Sequence, residues 1–121
     1  MPNSIKNIGQ SNAAARAARR SSARLDAMIA EATVDCYNES EEATGLFTML
    51  EQNLVVPFKA TVLDVEVVVE RVDIDNADEI VAICRRGRSR QRIPILHLPL
   101  PDPRPSGAEW IDAYRRWARG K

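Results

Sequence analysis

The sequence predicts an α+β fold, a small twisted antiparallel sheet or SH3-like partly open barrel flanked by N-terminal helices and a C-terminal helix. Three changes of apolar period predict it: the pattern is helical as far as Leu54, strand-like from Phe58 to Leu96, and helical again after Gly107. With 121 residues, 45% of them hydrophobic, the chain suits one domain with one modest core.

Residues 1–12, rich in Asn, Ser and Gln, read as a flexible tail, and residues 13–121 as a single domain. From Ala13 to Ala32 the run AAARAARRSSARLDAMIAEA has high helix propensity. Leu25, Met28, Ile29 and Ala32 fall at i, i+3, i+4 and i+7, so only the second half of this helix has a face to bury. A second helix opens at Asn38 or Ser40. Asn38-x-x-Glu41 fits the capping box, Ala43, Leu46, Phe47, Leu50 and Leu54 form its apolar stripe, and Pro57 ends it. FKATVL, VEVVVERV, EIVAICRR and SRQRIPIL are then short Val/Ile-rich runs, separated by Asp64, by the acidic loop DIDNADE and by Gly87. Four prolines between Pro99 and Pro105 make an extended connector. In the last helix Ser106-x-x-Glu109 is a second capping box, and Trp110, Ile111, Tyr114 and Trp117 share one side.

The formal net charge of zero conceals a division along the chain. Residues 1–34 carry +3, residues 35–80 carry −10 with twelve of the seventeen acids, and residues 81–121 carry +7. No window approaches the ~20 apolar residues that cross a bilayer, and the N-terminus has no signal-like apolar run. A cytoplasmic protein with no membrane partner is expected. Cys36 and Cys84 lie outside any CxxC or Cys/His arrangement and read as reduced structural residues, with a disulfide or reactive thiol as the alternatives. GxSxG, HExxH and P-loop motifs are absent, and the one histidine, His97, stands at the mouth of the proline connector as a surface residue. The chain is expected not to be an enzyme.

Carboxylates carry the more specific chemistry. VDCYNESEE places Asp35, Glu39, Glu41 and Glu42 within eight residues, with Asn38 among them and no Lys or Arg. Calcium takes six to eight oxygens from carboxylates, amide side chains and carbonyls, and a loop entering a helix can present several at once. The stretch lacks the spacing and central glycine of an EF-hand. Acids in a first helical turn are also favoured by the helix dipole, with no metal required. A second group, Asp73, Asp75 and Asp78, lies in the D-x-D-x-x-D loop between two strands, where it can close around an ion or make an ordinary solvated turn. Against these stands the hairpin RRGRSRQR, which with Arg16, Arg19, Arg20 and Arg24 has the charge to grip phosphates. In a hairpin, though, alternate arginines face opposite sides, and some must meet the domain's own acids.

Val34-Asp35, Tyr37, Glu41-Glu42-Ala43, Gly45, Leu50-Glu51, Leu54, Pro57-Phe58 and Ala60, followed by strands and a helix with Trp110 and Trp117, resemble the cyanobacterial-type calcium-binding protein (CcbP-like) family over residues 33–118. The resemblance is fairly specific in its first third and loose in the strands. It implies a small protein that binds Ca2+ without EF-hands, buffering or sensing the ion, with Asp35, Glu41, Glu42 and Glu51 in the acidic motif. It reaches Asp73, Asp75 and Asp78 with less force, and the arginine-rich hairpin departs from the strongly acidic pattern of the family. The expected function is therefore non-EF-hand calcium binding, with a protein partner downstream of the ion. The alternative is an interaction module whose arginine-rich hairpin binds nucleic acid or an acidic protein.

Overall fold

The computed structural model describes the backbone of residues 2–120 and the side chains of residues 12–120. Helix α1 spans Pro2–Ala32 and α2 spans Glu39–Asn53; strands β1 Phe58–Val62, β2 Val65–Ile74, β3 Ile80–Arg86 and β4 Ser89–Pro94 follow, and α3 is Glu109–Arg119. Helix α1 thus runs through the segment read as a tail. All four strands pair antiparallel with their sequence neighbours in the order β1-β2-β3-β4. Edge strands β1 and β4 do not pair, so the sheet is open and does not close into a barrel.

Each hairpin follows from its turn residues. Leu63 and Asp64 both take positive φ, 49° and 64°, the backbone that matches the twist of a two-residue hairpin. Gly87 turns β3 into β4 at φ 59° with no neighbour near its missing Cβ. Glu70 is the extra residue of a bulge, since Val69 pairs with Cys84 and Arg71 with Ile83. The strand pattern expected through Leu96 stops at Pro94; Ile95–His97 form a single 3-10 turn that carries Ile95 and, just beyond it, Leu98 into the core.

The helices cover one face of the sheet. Leu46 and Leu50 of α2, Val69, Ile80 and Ala82 of the strands, and Ile111, Ala113 and Tyr114 of α3 form one buried cluster. Leu25, Met28 and Ile29 of α1 pack on its edge, which is the half of α1 with an apolar stripe. Two polar contacts fix α3. The Tyr114 hydroxyl accepts the Ile80 N–H at 3.3 Å, and the Arg115 guanidinium donates to the Ile95 and Leu98 carbonyls at 2.6–3.0 Å. The expected Ser106 cap is absent: α3 starts at Glu109 with Ala108 at its N-cap position, preceded by a turn. The Ser106 carbonyl instead accepts the Val55 N–H at 2.9 Å, tying the proline connector to the end of α2.

The opposite face of the sheet carries a lattice of ion pairs. Glu70 accepts from Arg85 Nε at 3.0 Å and Arg90 Nε at 2.8 Å, Asp73 Oδ2 lies 3.3 Å from Arg92 and 3.7 Å from Arg71, and Lys59 meets Glu66 at 3.6 Å. Val81 and Ile83 are buried although they alternate with the core residues of β3, which fits their lying beneath the aliphatic stems of these arginines.

Candidate metal centre

The turn between α1 and α2 is built by a sharp reversal. Residues 33–35 form a turn after α1, Asp35 adopts φ 61°, and Asn38, in extended backbone, caps α2. The left-handed conformation is one that Asp tolerates better than most side chains. Asn38 Oδ1 accepts the Glu41 N–H at 2.8 Å, the expected half of the capping box. The reciprocal half is displaced by one residue, because Glu41 Oε2 accepts the N–H of Tyr37 at 2.8 Å.

Three of the acids act on one point. The Cys36 thiol is pushed up, first by loss of solvent and then by the negative charges of Glu41, Glu42 and Asp35. Among the described residues no ion pair reaches Asp35 or Glu41. Glu39 lies in the same first turn of α2, exposed. Glu42 is half-buried and turns the other way as well, its Oε1 accepting the indole N–H of Trp117 at 2.8 Å. Tyr37, 88% exposed, projects from the middle of the turn.

The remaining candidates are elsewhere. Glu51 follows Glu41 by ten residues of α2, about 15 Å along the axis, and lines a hollow of about 150 Å³ with Arg71 and Asp73. Asp73 accepts the Ile74 N–H and is paired with Arg71 and Arg92. Asp75 Oδ1 accepts the N–H groups of Ala77 and Glu79 at 2.9 and 3.0 Å, so this carboxylate folds its own loop. Asp78 turns that loop at φ 60°. Asp73 and Asp75 are thus each engaged separately rather than gathered.

As a test of fit, the α1–α2 turn offers oxygen donors, the kind a hard cation takes, from Asp35, Asn38, Glu39, Glu41 and Glu42, with the Cys36 thiol among them. In arrangement it is loose: among the described residues no three His, Cys, Asp or Glu side chains stand as a ready metal cage. The oxygens of Glu41 and Glu42 that accept hydrogen bonds retain a second lone pair, so ligation does not require those bonds to be absent.

A family model described as calcium binding, Calci_bind_CcbP, matches residues 26–118. The chain belongs to the CcbP calcium-binding family. No curated protein and no solved structure matches it. The CcbP match takes in α2, the sheet, α3 and the turn carrying Asp35, and it begins at Asp26, within one residue of where α1 starts to pack on the body. The exposed residues 12–21 of α1 lie outside it. Two residues beside the turn, Cys36 and Trp117, are not among the candidate ligands that the sequence offers. Trp117 is legible in the sequence only as part of an apolar helix face, and nothing in the pattern places it beside a glutamate 75 positions earlier.

Proposed function

We propose that the chain binds Ca2+ at the α1–α2 turn, with Asp35, Glu41 and Glu42 supplying the carboxylates and Glu39 and Asn38 at the margin. The observation that carries this reading is the placing of Asp35, Glu41 and Glu42 about one turn, where all three charges act on Cys36, within a chain of a calcium-binding family. Like charges held together at a helix start raise the energy of the metal-free turn, and a divalent ion relieves that repulsion. Glu51, Asp73, Asp75 and Asp78 are given no ligand role here. Glu51 is remote along α2, and the carboxylates of Asp73 and Asp75 are engaged by arginines or by their own loop. Sensing is favoured over simple buffering because Glu42 touches α3 through Trp117.

Thermal melting in 1 mM Ca2+ against excess chelator tests the assignment. Native-state binding adds RT ln(1 + [L]/Kd), about 4 kcal/mol when the ion exceeds Kd a thousandfold, so a micromolar site raises the melting temperature by about 15 °C. Asp35→Asn keeps the backbone conformation and removes the charge, and should lose most of the rise while the chelated protein melts as before. A rise undiminished in Asp35→Asn sinks the ligand assignment, and no rise in the parent protein sinks the function.

A further inference from the structure

Residues 12–21 of α1 pack on nothing. They are exposed throughout, the apolar contacts of α1 among the described residues begin at Leu25, and no side chain from Ala13 to Arg24 is an apolar group larger than alanine. About 20 Å of helix, at 1.5 Å per residue, therefore projects from the body between residues 12 and 24. Along it Arg16, Arg19 and Arg20 stand at i, i+3 and i+4 and line one shallow, open depression with Ala23. Arg24, one turn on, is engaged by Glu109. The other three have no ion-pair partner among the described residues, and the sequence before Asp26 contains no Asp or Glu.

The arginine-rich hairpin is different: Arg85 and Arg90 share Glu70 and Arg92 meets Asp73, which leaves Arg86 and Arg88 as its arginines outside the described ion pairs. On the projecting helix three such arginines stand together on one face. We infer that this arm, through Arg16, Arg19 and Arg20, docks on the phosphate backbone of double-stranded nucleic acid without reading its sequence. A bilayer needs large apolar groups on the opposite side of such a helix, and here that side offers only Ala and Ser. A single small anion needs an enclosing pocket, and the depression is open. A phosphate backbone supplies evenly spaced charges along a line, and alanines beside the arginines leave no bulk to hold the helix off it.

Fluorescence anisotropy of labelled 20-base-pair duplexes, titrated with the full chain, reads the interaction. Three phosphate contacts give a log–log salt slope of about −2.7, so affinity should fall about 40-fold between 50 and 200 mM salt. Two duplexes of unrelated sequence should bind within twofold of each other. Arg16→Gln/Arg19→Gln/Arg20→Gln, checked for unchanged melting, should lose most of the affinity, and Arg86→Gln/Arg88→Gln should keep most of it. The inference is overturned by no binding at 50 mM salt, by a triple variant that binds as the parent does, or by a tenfold sequence preference. It is equally overturned if polyglutamate, or vesicles containing phosphatidylserine, bind more tightly than duplex at equal charge.

Discussion

Asp35 and Asp75 are both turn aspartates, yet only the second is already occupied. Asp75 Oδ1 takes two backbone N–H groups that otherwise lose their partner, so Asp75→Ala should cost about 1–3 kcal/mol in urea unfolding. Asp75→Asn, whose amide oxygen accepts the same bonds, should cost clearly less. Equal losses in the two variants would show that the carboxylate charge, and not the acceptor, holds the loop. Neither change should alter the calcium-dependent melting shift. Glu70 gives the pH dependence. The Arg90 guanidinium, followed by that of Arg85, holds its carboxyl below the ordinary glutamate range in spite of partial desolvation. A depressed folded value means that the unfolded chain takes up the proton first as pH falls. The stabilisation is therefore complete above about pH 4.3, the ordinary glutamate value, and disappears as pH drops through the folded one. Urea midpoints measured from pH 6 to pH 3 should fall more steeply for the parent than for Glu70→Gln; parallel acid limbs would remove Glu70 from the explanation.

At the scale of elements, the contact that sets the α1–α2 turn is the crossing of the two helices. A Cβ built on Gly45 would stand 2.1 Å from the Ala32 carbonyl oxygen and 3.2 Å from its carbon, both backbone atoms of the last residue of α1. Gly45→Ala gains about 1 kcal/mol of helix propensity and sets it against an overpacking cost of about 1–3 kcal/mol, because two helices must separate to admit the methyl. The expected net result is lower stability together with a weaker calcium response, since the Asp35 turn begins at the displaced end of α1. A variant as stable as the parent would mean the helices slide apart freely. The sequence motif contains this glycine but says nothing of the carbonyl it faces. Legibility divides along the same line. Stripes such as Leu46 with Leu50 and alternations such as Ile80, Ala82 and Cys84 mark elements, because burial on one face imposes a local period. The Asn38 cap was legible because it is a contact over three residues. Ser106 does not cap α3 because a connector bound to Val55 outweighs a local capping preference, and the pairing of Asp73 with Arg92 depends on strand register. The candidate site was legible in its turn and not in its far wall.

Across the whole molecule, the far wall joins the two ends of the family domain. Trp117 sits near the end of α3, stacks on Tyr114 with ring centroids 5.9 Å apart, and donates to Glu42 at the start of α2. Tyr114 continues the path, its hydroxyl accepting the first amide of β3. On the proposed assignment a cation on Glu42 would compete with the indole for the electron density of one carboxylate, withdrawing charge from the oxygen that accepts the indole N–H and weakening that bond. The indole then becomes a reporter of the ion from outside the metal turn. In a Trp110→Phe background, where Trp117 is the only tryptophan, calcium titration should shift its emission with the same midpoint as the melting response. Chelator should reverse the shift, and Asp35→Asn should suppress it. Glu42→Gln retains a carbonyl oxygen for the indole and loses the charge, so it should keep the metal-free emission and lose the response. If calcium raises the melting temperature while the Trp117 emission stays still, the ion does not draw on Glu42, and the link from the turn to α3 is broken at that residue.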